Sequence, residues 1–251
     1  MAASLAAAAI TLGTAAAQEP AVPTVNPCLD PANTDLLCPD LQMAPPSEMF
    51  VTRGGGKVLL HATNNIKSRG KGPMELRGRR EDPGYMDVRQ AIHTAGGGVR
   101  TFATEGHLVF YFIPGQGHYW KFQDAARFEL WSINADGSRG AMVRTGPKLN
   151  YCLRDLKRTR ASSRSPKNRV YPGCSQDPKK KRRTLGTSVG WSDIYPSTYF
   201  QNWINVSGLQ GCFEFVHRAD PLNHLFERKE GNNEGSTRVS LPPKGKRVSG
   251  C

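Results

Sequence analysis

Short runs of β-branched, aromatic or leucine residues, each closed off by a cluster of Gly, Pro, Asn or Asp, restrict the fold of this chain more than any other feature. They are Lys57 to Thr63, Asp87 to Thr94, His107 to Ile113, Arg127 to Ile133, Cys212 to His217 and Thr237 to Leu241. The stretch Asn134-Ala135-Asp136-Gly137 supplies turn chemistry directly after the fourth run. Such spacing suits stacked antiparallel sheets better than alternating strand and helix units, and any helices should be short. No internal repeat, phosphate-binding loop or dinucleotide fingerprint interrupts the pattern. With 251 residues, 26 Gly and 18 Pro, the chain has the length for one substantial core and the composition of a loop-rich protein. The expected fold is mostly β: a compact β-sandwich with long irregular loops, stapled by disulfides.

The disulfide expectation rests on two features. Residues Leu5 to Ala17 form an uncharged, alanine-rich apolar run, and Ala15-Ala16-Ala17 before Gln18 has the small-residue character of a signal-peptide cleavage site. Residues 1–17 therefore read as a secretory leader and 18–33 as an N-terminal segment. No later stretch reaches the roughly 18 apolar residues of a membrane-spanning helix. The six cysteines, Cys28, Cys38, Cys152, Cys174, Cys212 and Cys251, have no zinc-ribbon or CxxC spacing. In a secreted, oxidising setting they should pair, and Cys28 with Cys38 and Cys152 with Cys174 would each close a local loop. Asn205-Val206-Ser207 matches an N-glycosylation acceptor.

Charge is concentrated in one place. The chain carries a net +13, yet residues 157–183 hold eleven Lys or Arg against Asp177 alone, so 11 − 1 = +10 resides there and +3 elsewhere. This Ser-, Pro- and Arg-rich segment reads as an exposed basic loop insertion. Its Pro178 to Arg183 stretch resembles a nuclear-localisation run, but a leader peptide routes the chain away from the import machinery, which argues against nucleic acid as partner. Two readings stay open: a solvated loop, or a contact with a polyanionic glycan or cell-wall polymer.

A series of local patterns, taken in order, is more specific. Asp35-Leu36-Leu37 and Pro39-Asp40-Leu41 are followed by Pro114 to Trp120, Ala126 to Trp131, Thr145 to Asp155, Gly186 to Tyr195, Trp203 to Val206, Asp220 to Asn223, Glu227 and Asn232-Asn233. In this order the set resembles the catalytic domain of the lysyl oxidase family, particularly its microbial members, over residues 34–242, with 243–251 left as a C-terminal tail. The resemblance implies a β-sandwich and a secreted copper amine oxidase that converts peptidyl lysine or another primary amine to an aldehyde. It also implies two cofactors, copper and a lysine tyrosylquinone. Carried over residue by residue, it places the cross-linked lysine at Lys148, the quinone tyrosine at Tyr195, a general base at Asp193 and a copper ligand at His118.

The copper motif departs from the family. Its three histidines alternate along a strand, because every second side chain points to one face. Here the matching positions are Gln116, His118 and Trp120, or Lys121 in place of Trp120 if the register slips by one. Neither Gln, Trp nor protonated Lys replaces an imidazole on copper. Two function classes follow: an amine oxidase whose copper site is completed by a remote residue, with His107 the first candidate, or a non-catalytic secreted binding or structural protein on the same fold.

Overall fold

The computed structural model describes residues 21–243 and 245–251. The leader expected at 1–17 lies outside the described residues. Within them the chain is all β: sixteen strands and no helix. The first eight are β1 (Leu36–Leu37), β2 (Leu41–Met43), β3 (Ser47–Gly54), β4 (Lys57–Ser68), β5 (Met74–Asp82), β6 (Tyr85–Thr94), β7 (Val99–Ile113) and β8 (Gly117–Phe122). The others are β9 (Ala126–Ile133), β10 (Arg139–Thr145), β11 (Lys157–Arg158), β12 (Arg182–Thr187), β13 (Trp191–Tyr195), β14 (Trp203–Asn205), β15 (Gly211–Ala219) and β16 (Glu234–Leu241). All six expected runs fall inside strands, namely β4, β6, β7, β9, β15 and β16.

Every pairing is antiparallel. One sheet runs β12-β5-β6-β7-β8, with β1 on the far end of β6; a second runs β10-β9-β15-β16. The third, β11-β13-β4-β14, centres on β4, whose first half pairs with β3 and β14 and whose second half pairs with β13 and β2. Strand periodicity explains how β4 serves two cores. Leu60, Ala62 and Ile66 project to one face, the first two into a core with Phe128, Leu130, Ile204, Phe213 and Phe215, the third into one with Trp120, Phe122, Tyr151 and Tyr195. At about 25 cal/mol per Å² of apolar surface removed from water, aromatic residues of this size dominate the driving force for closing such layers.

Strands β5 and β12 escape the sequence reading because Arg77, Gly78, Arg79, Arg80, Glu81 and Asp82 mask an apolar start. They form because Met74, Leu76 and Leu185 are buried on one side and the register Leu76 to Leu185 aligns them, while the charged side chains turn outward. The turn at Asn134 to Gly137 is as expected, with Gly137 at φ 81° and its N–H donating to Asn134 O at 2.9 Å.

Three disulfides join Cys28 to Cys38, Cys152 to Cys174 and Cys212 to Cys251. The first two are the expected local pairs. The third fastens the tail, which also lies along β3 through Val51 N–H to Lys246 O at 2.8 Å. Chemistry of this kind belongs to an oxidising compartment.

The basic segment is exposed, as expected, and it is also tied to the sheets at both ends. It begins in β11, ends in β12, and its middle is fastened to the body. The buried Asp155 carboxylate accepts from the Val170, Tyr171 and Ser188 N–H groups at 2.9, 3.2 and 2.7 Å, and from the Ser188 hydroxyl. Tyr171 is buried and donates its hydroxyl to Glu75 at 2.7 Å. The cations still face water: all but Arg158 and Arg183 of the eleven are exposed.

Candidate functional site

The residues that the family resemblance singles out converge in part. Tyr195 and Asp193 lie two apart on β13, so they project to one face, and the register of β13 on β4 sets Tyr195 opposite Asn64. The Asn202 amide donates to Tyr195 O at 3.0 Å and to Pro196 O at 3.1 Å, which fixes where the chain leaves the strand. Lys148 comes from the loop after β10. That loop enters the body at Gly146, where an added Cβ would come within 2.7 Å of Trp203 O and 3.0 Å of the Phe128 side chain. It is then clamped by paired backbone bonds between Tyr151 and Phe122 at 2.8 and 3.0 Å. The path aims Lys148 inward, where its Nζ donates to Asn150 O.

There Lys148 Nζ lies 4.4 Å from the Tyr195 ring centroid, 3.8 Å from that of Tyr151 and 5.5 Å from that of Tyr199. Tyr151 and Tyr199 meet Tyr195 edge to face, with centroids 4.7 and 4.8 Å away. The Tyr195 hydroxyl accepts from the Cys152 N–H at 3.1 Å. A second lysine completes the cage: Lys121 Nζ stands 5.9 Å from the Tyr195 centroid and 5.8 Å from that of Tyr199. Lys148, Tyr195 and Asp193 are 1%, 2% and 0% exposed, so bulk water does not reach the cluster.

Burial sets the charge state. Loss of hydration holds Lys148 well below the ordinary lysine range, and repulsion from Lys121 adds to it against the pull of Asp193. Lys121 is lowered to about 8 by burial, partly offset by Asp193. Asp193 rises to about 6 through burial, opposed by Arg154, Lys148 and Lys121. Its ion-pair partner among the described residues is Arg154, with Nε 3.7 Å from Oδ1, and the Leu153 backbone N–H also favours its charged form. Tyr195 and Tyr151 are pushed well up by burial. Burial therefore keeps the phenols neutral and loosens the hold of Lys148 on its proton, beside the Asp193 carboxylate and the Lys121 amine. A neutral amine is a nucleophile, but a phenol ring accepts one only after oxidation.

His118 does not join this cluster. Along β8 the side chains of His118 and Trp120 share one face and those of Tyr119 and Lys121 the other. His118 is exposed, stacks on Phe110 at 5.2 Å and meets Phe112 at a tilt at 4.9 Å. Trp120 is buried, its indole N–H donating to Asp177 O at 2.9 Å, and Gln116 sits in the exposed turn before the strand. The Tyr195-facing row is thus the slipped register, with Lys121 where an imidazole would be needed. His107 is no substitute: its Nε2 pairs with the Tyr85 hydroxyl at 2.8 Å and its Nδ1 faces Asp87 at 3.4 Å. His217 packs between Phe128 and Phe215 at 4.0 and 4.8 Å, with burial lowering it to about 3. Among the described residues no group of three or more His, Cys, Asp or Glu side chains is placed to hold a metal ion. The donors around Tyr195 are ammonium, phenol, guanidinium and one carboxylate, and this set does not fit copper.

Tyr151, Tyr199, Arg154 and Lys121 are the members that sequence reasoning missed. Only Lys121 left a trace, as the alternative register of the alternating motif. The chain matches no protein-family model and no curated protein.

Proposed function

We propose that this chain is a secreted, non-catalytic protein on a lysyl-oxidase-like β fold that binds polyanionic glycan through its basic face. The observation that carries the reading is the Lys121 ammonium on the Tyr195-facing row of β8. A fixed cation beside the tyrosine repels a metal ion, and burial closes the cluster to an amine substrate. Lys148, Tyr195 and Asp193 then act as a polar core, and function moves to the exposed cations of residues 157–183. Their field should attract a polyanion and be screened by salt. Retention on dextran-sulfate resin that weakens steeply with added salt, and is lost when Lys179, Lys180, Lys181 and Arg182 are changed to Gln, is the expected result. Elution of parent and variant at the same salt would remove the glycan reading.

One observation favours the second reading, a lysyl-oxidase-type amine oxidase: Lys148 Nζ is held against the Tyr195 ring, the pair that the resemblance implies becomes cross-linked. Peptide mapping after exposure to copper and air decides between them. The non-catalytic reading expects separate Lys148 and Tyr195 peptides and no peroxide from a primary amine; a covalent Lys148–Tyr195 link would establish the oxidase.

A further inference from the structure

Arg69, Arg160 and Arg164 line an open cleft together with Ser162, Ser163 and Gly190. Only two of the arginines belong to the basic segment; Arg69 follows β4, more than ninety positions from Arg164 in sequence. The three are brought together by backbone bonds that meet at Gly190. Gly190 N–H donates to Ser68 O at 2.8 Å, and Gly190 O accepts from the Thr159 and Arg160 N–H groups, both at 2.9 Å. No side chain fits at Gly190, where φ is +80° and a Cβ would lie 2.1 Å from Arg160 O. The serine turn is held separately: Arg158 donates to the Ser165 hydroxyl at 3.0 Å and to Ser165 O at 2.9 Å.

What is built here lacks its counter-charge. No carboxylate lines the cleft. Ion pairs among the described residues engage Arg77, Arg79, Arg100, Arg139, Arg154 and Arg218, and none of the three cleft arginines. Arg69 donates Nη2 to Thr159 Oγ1 at 3.1 Å, while its Nη1 is buried with no hydrogen-bond partner. A buried guanidinium N–H that is left unpaired costs free energy, and burial together with repulsion from Arg160 weakens the proton affinity of Arg69.

We propose that this cleft binds one tetrahedral oxyanion, a sulfate or phosphate ester carried on a polysaccharide. Three guanidiniums offer forked donors to several oxygens at once, and the Ser162 and Ser163 hydroxyls supply neutral donors at the rim. A flat carboxylate presents too few oxygens to engage all of them. The proposal rests on the polyanion reading above and adds, in addition to the run Lys179 to Arg182, a discrete site with a ligand chemistry of its own.

The test is calorimetric titration of the purified full chain with sodium sulfate and with sodium phosphate at constant ionic strength set by sodium acetate. Saturable one-to-one binding is expected, weakened about tenfold or more in Arg160→Ala/Arg164→Ala, in line with the loss of charge-assisted bonds. The Arg160→Lys/Arg164→Lys variant keeps charge and folding but loses the forks, and should also bind more weakly. Tighter binding of sulfate assigns the ester as sulfate, and tighter binding of phosphate assigns it as phosphate; dextran sulfate competing for the same site assigns the polysaccharide as its carrier. Absence of saturable binding, full affinity in the alanine variant, or equal competition by polygalacturonate would overturn the site. If the resin still retains the parent in those cases, the polyanion reading survives without this cleft; loss of retention as well removes both.

Discussion

At the scale of single residues, the buried Asp193 is the point of highest electrostatic stake. Its carboxylate is fully buried, with Arg154 at 3.7 Å as its one close ion-pair partner among the described residues. Removing one member of a buried pair strands the other charge in a poor solvent, which costs more than the pair contributes. Arg154→Met should therefore lower stability by about 2 kcal/mol near pH 7.5, and by less than half as much near pH 5, where Asp193 takes up a proton. Urea denaturation at the two pH values measures this. Equal losses at both would mean that Arg154 acts through the packing of its alkyl stem, not its charge. The clustering itself could not be read from local sequence. Arg154, Tyr151 and Tyr199 are ordinary residues until the disulfide loop and β13 bring them to one place.

At the scale of an element, β8 decides what the cage contains. Its period of two separates the His118 and Trp120 row from the Tyr119 and Lys121 row, and the field of Tyr119 is felt at Tyr199 on the Tyr195 side. Restoring imidazoles on the two faces should thus have different results. Tyr119→His/Lys121→His adds two nitrogen donors beside Tyr195 and removes the opposing ammonium, whereas Gln116→His/Trp120→His adds them on the His118 face and empties an indole from the core. Copper titration followed by absorbance should find tighter binding in the first variant, and the second should lose about 3 kcal/mol of stability through its cavity. Stronger copper binding by the second variant would mean that the His118 row is the metal-facing one. A one-residue ambiguity in a sequence pattern is therefore a choice of face, and only the pairing of β8 with β7 resolves it.

At the scale of the whole molecule, buried acids give stability an unusual pH profile. Burial raises Asp193 and Asp220 to about 6 and Glu230 to about 7, from ordinary values of 3.8 and 4.5. Between these limits the folded chain holds protons that the unfolded chain has released, so stability falls as pH rises through the window. Lys121, lowered to about 8 from 10.5, acts in the opposite sense, since the unfolded chain holds the extra proton there and stability recovers above about 8. Glu214, drawn down to about 2 by Arg139, stabilises above its ordinary range and that contribution is lost on strong acidification. The urea midpoint should be higher near pH 5 than near pH 7.5, with a partial recovery near pH 9.5. A midpoint that rises steadily from pH 5 to 7.5 would show that these acids are hydrated in solution.

The sequence by itself determined the class of the fold, six of the strand runs, one turn and two of the three disulfides. These rest on short-range physics: the period of a strand, the chemistry of Asn-Ala-Asp-Gly, and the closeness of cysteines that follow one another. It also pointed to Lys148, Tyr195 and Asp193, through resemblance and not through any property of the residues alone. Tertiary structure decided the rest, because burial and neighbourhood are properties of the packed chain. It set Lys121 and not His118 beside Tyr195, made the basic segment a fastened surface through Asp155 and Tyr171, and drew Arg69 to Arg160 and Arg164. Each depends on contacts between residues far apart in sequence, whose register and charge state are fixed only once the sheets have closed over them.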